Sequence, residues 1–311
     1  MGTPPIQFPT DHSTDELTRG PQQERLPEAA PATGAAPDPD NPPWGFLEAL
    51  GLLIISFVLM LLTAAAFLIP YTIYHGVGLA AFNEFVSKDP GALLMQVLSI
   101  LPAHLMTLGL AWVIVTRAGK RPFFRTLGWE WRAGFTFWRS VGLAILLYLV
   151  GIALIWLVPA PSTDNALTQL LRSSRATTLA VAFIASVSAP LVEEVVFRGV
   201  FYSALQRLVG AAGAVAFVVL IFAGIHFFQY WPSYGVIATI VLLSLALTLI
   251  RARTGQLLPC FIVHLVFNFI QGVLLVFEPY LKQLWPDKPV PVPAPAPGLL
   301  VELFARLFAG G

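Results

Sequence analysis

Apolar residues run along this chain in long uninterrupted blocks separated by short polar stretches. A helix needs about 20 predominantly apolar residues to cross a bilayer. Seven blocks meet that rule, at about 46–70, 93–116, 138–159, 177–206, 211–229, 234–250 and 257–277. The fourth is long enough to tilt or protrude, and the sixth is short for a crossing. The pattern predicts an all-α polytopic transmembrane bundle of about seven spans.

The two ends read differently. Residues 1–44 are rich in Pro, Asp, Glu, Thr and Ala and hold few large apolar side chains. Such a segment buries too little surface to offset its ordering entropy, so a disordered tail is expected. The first apolar block starts only near Trp44, which argues against a short N-terminal signal peptide. Residues 281–298 form a Pro-rich linker. In 299–311, Glu302 and Arg306 stand i,i+4 on an apolar segment too short to cross, which predicts an interfacial amphipathic helix.

Composition agrees with a membrane protein. Of 311 residues, 57% are hydrophobic and 11% charged; a soluble domain is about 45–50% apolar and about 25% charged. The net charge of +1 gives no electrostatic footprint for nucleic acid. One cysteine, Cys260, excludes an internal disulfide and a multi-cysteine metal site. Its apolar surroundings read as those of a small buried side chain. Arg117, Lys120, Arg121, Arg125, Arg132 and Arg139 follow or flank the loop after the second block, and Arg207, Arg251 and Arg253 fall on the same side. The opposite loops hold only Lys88, Arg172 and Arg175. The positive-inside rule then places the N-terminus and the basic loop in the cytoplasm. Arg251 and Arg253 read as cytoplasmic anchors.

Ionisable residues stand where they are least expected. Glu193 and Glu194 interrupt the fourth block, followed by Arg198. A carboxylate at mid-membrane costs about 2.5–3.5 kcal/mol even on the lenient insertion scale, so such groups usually mark a pathway or a site. Glu194 and Arg198 are four apart and can pair on one helix face. Glu193 points about 100° away and is left for a different partner. In the fifth block Phe222 and His226 are four apart, with Gly224 between them as a point where a neighbouring helix could approach. In the seventh, His264 and Asn268 share a face and could aim two donors at one developing oxyanion. Each pair alone could equally be an interhelical hydrogen bond. Together they predict a polar cavity between the fourth, fifth and seventh spans.

The ordered set Glu-Glu-x-x-x-Arg, Phe-x-x-x-His and His-x-x-x-Asn resembles the CAAX protease and bacteriocin-processing (CPBP, or Abi) family of intramembrane proteases. The resemblance covers about residues 177–277. It implies that 45–280 is a transmembrane protease domain, with a membrane-associated or prenylated CAAX-type protein or peptide as substrate. It implies that Glu193 and His226 activate a water, that His264 and Asn268 form the oxyanion hole, and that Glu194, Arg198 and Phe222 support the site. The expected location is a bacterial cell membrane. Zinc is the one cofactor to weigh, since Glu193, Glu194, His226 and His264 could hold an ion and its water. No His-Glu-x-x-His helix is present, so a metal-free glutamate mechanism is favoured.

Two other classes would also use these residues. A proton- or ion-coupled transporter places Glu, His and Arg at mid-membrane, but no internal repeat between the two halves is evident. A non-catalytic immunity or scaffold protein would keep the residues and bind without cleaving. The remaining candidates read as structural: His12 in the tail, His75 at an interface, and His104 in a hydrogen bond between helices. Trp129, Trp131 and Trp138 read as an interfacial aromatic belt.

Overall fold

The computed structural model describes residues 1–2, 41–131, 135–158 and 166–284. Most of the N-terminal tail with His12, Arg132, nearly all of the Pro-rich linker and the C-terminal segment with Glu302 and Arg306 lie outside the described residues. Among the described residues every regular element is helical. In chain order these are α1 (Phe46–Tyr74), α2 (Leu79–Lys88), α3 (Pro90–Leu98), α4 (Ile100–Thr116), α5 (Phe123–Thr126), α6 (Phe137–Leu157), α7 (Ala166–Ser173) and α8 (Arg175–Phe183). A first π-helical segment (Ile184–Ser188), α9 (Ala189–Glu193) and a second π-helical segment (Glu194–Phe201) lead into α10 (Tyr202–Tyr230), α11 (Tyr234–Thr254) and α12 (Leu258–Leu284).

Six helical stretches are long and apolar enough to cross a membrane. One of them, Arg175–Phe227, is 53 residues long. At 1.5 Å per residue it would extend about 80 Å, far beyond a hydrocarbon core of about 30 Å. It turns at Gly210, whose φ of 74° and ψ of 167° break the helix. A side chain there would be strained, and glycine is free to adopt it. The fourth and fifth expected spans are therefore the two arms of one stretch, consistent with about seven crossings.

Other boundaries moved. Pro70 lies inside α1 instead of ending it, and the second expected span is divided at Ser99 into α3 and α4. Asp89 starts α3 by accepting from the backbone N–H of Ala92 at 2.8 Å and from the Tyr71 hydroxyl at 2.9 Å, so one carboxylate caps a helix and ties it to α1. The expected sixth span runs four residues further, to Thr254, and ends at Gly255 in the left-handed region, φ 66°.

Close helix approach also falls elsewhere than expected. A Cβ at Gly224 would meet nothing within 4 Å, so that glycine does not mediate packing. A tight crossing lies between α6 and α11. A Cβ on Gly235 would lie 2.7 Å from the Ile155 Cα, and one on Gly151 would lie 2.6 Å from the Thr239 methyl. Small residues at such points let backbones approach where lipid gives no hydrophobic drive for association.

The fourth span departs from α-helix on both sides of the glutamates. Pro190 has no N–H to give to the preceding turn, and its ring crowds that turn. The first π-helical segment ends just before it. π segments leave carbonyls turned away from the helix ladder and recur at functional sites. Here those carbonyls take donors from other elements. Ala185 O accepts from Asn268 Nδ2 at 2.9 Å, Arg198 O from Arg251 Nε at 3.0 Å, and Val200 O from the Trp44 indole at 2.9 Å. The distorted span is thereby fastened to α12, α11 and the start of α1. Around it pack Val195, Val196, Phe197, Phe201 and Phe222, all buried.

Candidate active site

The three motifs converge. Glu194 lies at the start of the second π segment and is fully buried. Its Oε1 accepts from Arg198 Nη1 at 3.0 Å and from His264 Nδ1 at 2.8 Å. The i,i+4 pairing expected from spacing is present, and His264 joins it from α12. The Arg198 guanidinium continues outward. Nη2 donates to Ser244 Oγ at 2.8 Å, Nε to Thr248 Oγ1 at 3.3 Å, and the plane lies 4.4 Å from the centroid of the Phe222 ring. A buried carboxylate is stable only when paired and hydrogen-bonded, and this network does both. Glu194 Oε2 is buried without a protein partner, a position that an ordered water would satisfy.

Glu193 points elsewhere, as its neighbouring position on the helix requires. Its side chain keeps 18% of its accessible surface, against 0% for Glu194. One oxygen, Oε2, lies 3.8 Å from His264 Nε2. His264 thus stands between the two glutamates, with one ring nitrogen toward each.

His226 is oriented from within α10. Its Nδ1 lies 2.8 Å from Phe222 O. A carbonyl only accepts, so Nδ1 carries the proton and Nε2 presents a lone pair. Phe222 holds the ring from the same turn, its centroid 4.7 Å from that of His226 and 6.2 Å from that of His264. Phe222 therefore lies under the guanidinium and beside both imidazoles. Asn268 follows His264 by four residues on α12, and its amide donates one N–H to Ala185 O. The second amide N–H is left over, since an asparagine amide has two.

Glu193, His226, His264 and Asn268 line one cavity of about 40 Å³, walled by α6, α10, α11 and α12. Tyr230, Thr239 and Gln271 add polar atoms to the same cavity. Among the described residues, no three His, Cys, Asp or Glu side chains form a metal-binding group. Glu194 Oε1 is occupied by a guanidinium and an imidazole N–H, whereas the bond from His226 Nδ1 to a carbonyl leaves Nε2 with its lone pair free.

Several residues important to this arrangement were not anticipated. Ser244 and Thr248 clamp Arg198. Arg251 is fully buried and donates to Arg198 O, Ser203 Oγ at 2.8 Å and Gly255 O. Its reading as a cytoplasmic anchor is corrected: the guanidinium points into the bundle because three oxygens await it there. A signal was present. Ser244, Thr248 and Arg251 repeat at i, i+4 and i+7, a polar stripe on an otherwise apolar helix. His104 bonds across to Ser188 Oγ at 3.0 Å, an interhelical hydrogen bond as expected. Cys260 is buried and free.

The family model described as type II CAAX prenyl endopeptidase Rce1-like matches residues 175–270, from the start of α8 into α12. Neither a curated protein nor a solved structure matches the chain. The matched span contains all three motifs, and the structure folds them around one cavity in a helical membrane bundle. Over residues 175–270 the chain is similar to the CAAX protease and bacteriocin-processing family.

Proposed function

We propose that the protein is an intramembrane endopeptidase that hydrolyses a peptide bond near the C-terminus of a membrane-associated, CAAX-type protein or peptide, with Glu193 as the base. The observation that carries this reading is the division of labour between the adjacent carboxylates. Glu194 is tied through Oε1 to Arg198 and His264, whereas Glu193 faces the cavity with His226 and Asn268. Two carboxylates in different environments can take different roles.

In the proposed reaction Glu193 accepts a proton from a water that also donates to His226 Nε2. The hydroxide so formed attacks the substrate carbonyl carbon, and the carbonyl electrons move to oxygen. The spare N–H of Asn268 and a proton on His264 Nε2 stabilise that oxyanion. The tetrahedral species collapses, the C–N bond breaks, and the leaving nitrogen takes the proton from Glu193. Glu194 and Arg198 fix the His264 ring through Nδ1. The sequence holds no His-Glu-x-x-His helix, which favours a water activated without metal. The basic loop after α4 supports a cytoplasmic N-terminus.

The test is hydrolysis of a labelled, prenylated CAAX-type peptide in H2(18)O by the purified protein, with products mapped by mass. Cleavage near the C-terminus with one heavy oxygen in the new carboxylate is expected. An intact peptide, combined with proton or ion flux in proteoliposomes, would overturn the protease reading.

A further inference from the structure

Glu193 and His226 also line a second cavity, and they are the two residues that it shares with the first. This second space, about 60 Å³, lies on the other side of the two side chains, between α1, α4, α9 and α10. Its wall is mostly apolar, yet three polar side chains enter it: Ser56 from α1 and His104 and Thr107 from α4. None of the three belongs to the family motifs, and α1 and α4 lie outside the matched span.

We propose that this second cavity is the reservoir of the hydrolytic water, with His104 and Thr107 as positioning residues that hold the water against Glu193 and His226 while substrate occupies the first cavity. The inference rests on Glu193 acting as the base. Size favours water. A water needs about 10–15 Å³, so the space has room for about four.

Polarity favours it too. A buried water is held by two to four polar partners, and five polar side chains face this cavity. His104 is directed by its bond to Ser188. Ser188 Oγ already donates to Ile184 O at 3.4 Å, so it accepts from His104 Nδ1–H. Nε2 is then the polar atom that the His104 ring has left to offer. Ser56 donates its own proton to Leu53 O at 2.7 Å, so it too can accept from water. Topology completes the argument. A substrate carbonyl in the first cavity, flanked by His264 and Asn268, would be attacked from the side of Glu193 and His226, which is the side on which the second cavity opens.

The experiment compares Ser56→Leu, which fills the cavity, with Thr107→Val, which is nearly isosteric and deletes one hydroxyl, and with His104→Ala and His104→Gln. Glu193→Gln is the inactive reference, and all are assayed in the same detergent on the same prenylated peptide. The reservoir predicts that kcat falls about tenfold or more with KM unchanged in Ser56→Leu and His104→Ala. Thr107→Val falls less, and His104→Gln recovers part of the loss. A purely structural His104 would lower thermal stability equally in Ser188→Ala and leave kcat of the folded fraction intact. Full turnover in Ser56→Leu and Thr107→Val, beside an inactive Glu193→Gln, overturns the reservoir alone. Full turnover in Glu193→Gln overturns the base and the reservoir together. A structure at a resolution that shows ordered water decides independently of substrate. Water bridging His104 or Thr107 to Glu193 is expected, and a dry second cavity overturns the proposal.

Discussion

Replacing Arg198 with Met removes the guanidinium that pairs with Glu194. The variant deletes the 3.0 Å ion pair, the bonds to Ser244 and Thr248, and the stacking over Phe222. Glu194 then keeps a single partner, His264 Nδ1, because its Oε2 has none in the protein. Both side chains of the pair are fully buried, so solvent screening does not soften the loss. Breaking a buried pair by removing one partner costs about 3–5 kcal/mol. The assay is reversible unfolding of the purified protein in mixed micelles by SDS titration, read by a conformational probe. Arg198→Met should lose about that much. Glu194→Gln should lose less, because Arg198 keeps its oxygens on α11. In the double variant Glu194→Leu/Arg198→Met both charges are gone, and stability should recover relative to Arg198→Met, with a coupling of about 0.5–3 kcal/mol. If Arg198→Met unfolds within about 0.5 kcal/mol of the wild type, the network is not holding the buried carboxylate and the structural reading is wrong.

Other outcomes follow from the same geometry. Gly235→Ala drives a methyl into the Ile155 backbone of α6 and should cost about 1–3 kcal/mol in the same titration. Gly224→Ala meets open space and should change stability by no more than about 0.5 kcal/mol. Asn268→Ala should lower kcat by about 10²–10³ by losing an oxyanion donor, with a smaller loss of stability because Ala185 O loses its donor. Arg251→Lys keeps the charge but cannot reach Arg198 O, Ser203 and Gly255 with one fork. It should lower both the unfolding midpoint and kcat, and a variant indistinguishable from wild type in both would refute its bracing role.

What could be read from the sequence divides along physical lines. The spans were legible because long apolar blocks are a one-dimensional signal, and the Glu194–Arg198 pair was legible because i,i+4 spacing fixes neighbours on a helix. That His264 lies between the two glutamates was not, since it depends on how α12 packs on the fourth span. Nor were the π segments. Pro190 was a visible warning, but the carbonyls turned out along the distorted span are satisfied by Asn268, Arg251 and Trp44, which lie 83, 53 and 156 positions away from them in the chain and which only folding brings together. Gly224 looked like a packing glycine from its place in the motif, whereas Gly235 and Gly151, at a tight crossing, had no motif around them. Arg251 was misread because charge near the end of a span usually marks the interface. Here buried oxygens outbid the water.

The measurement that bears most directly on the central claim is cleavage of the prenylated peptide by wild type and Glu193→Gln, each with and without a chelator. Glu193 makes no hydrogen bond to the scaffold comparable to those of Glu194, so the amide should leave the unfolding midpoint unchanged. The account predicts cleavage by the wild type that persists after chelation, and none by Glu193→Gln. Cleavage that vanishes with chelator and returns with zinc, or that continues at the parent rate in Glu193→Gln, would contradict it.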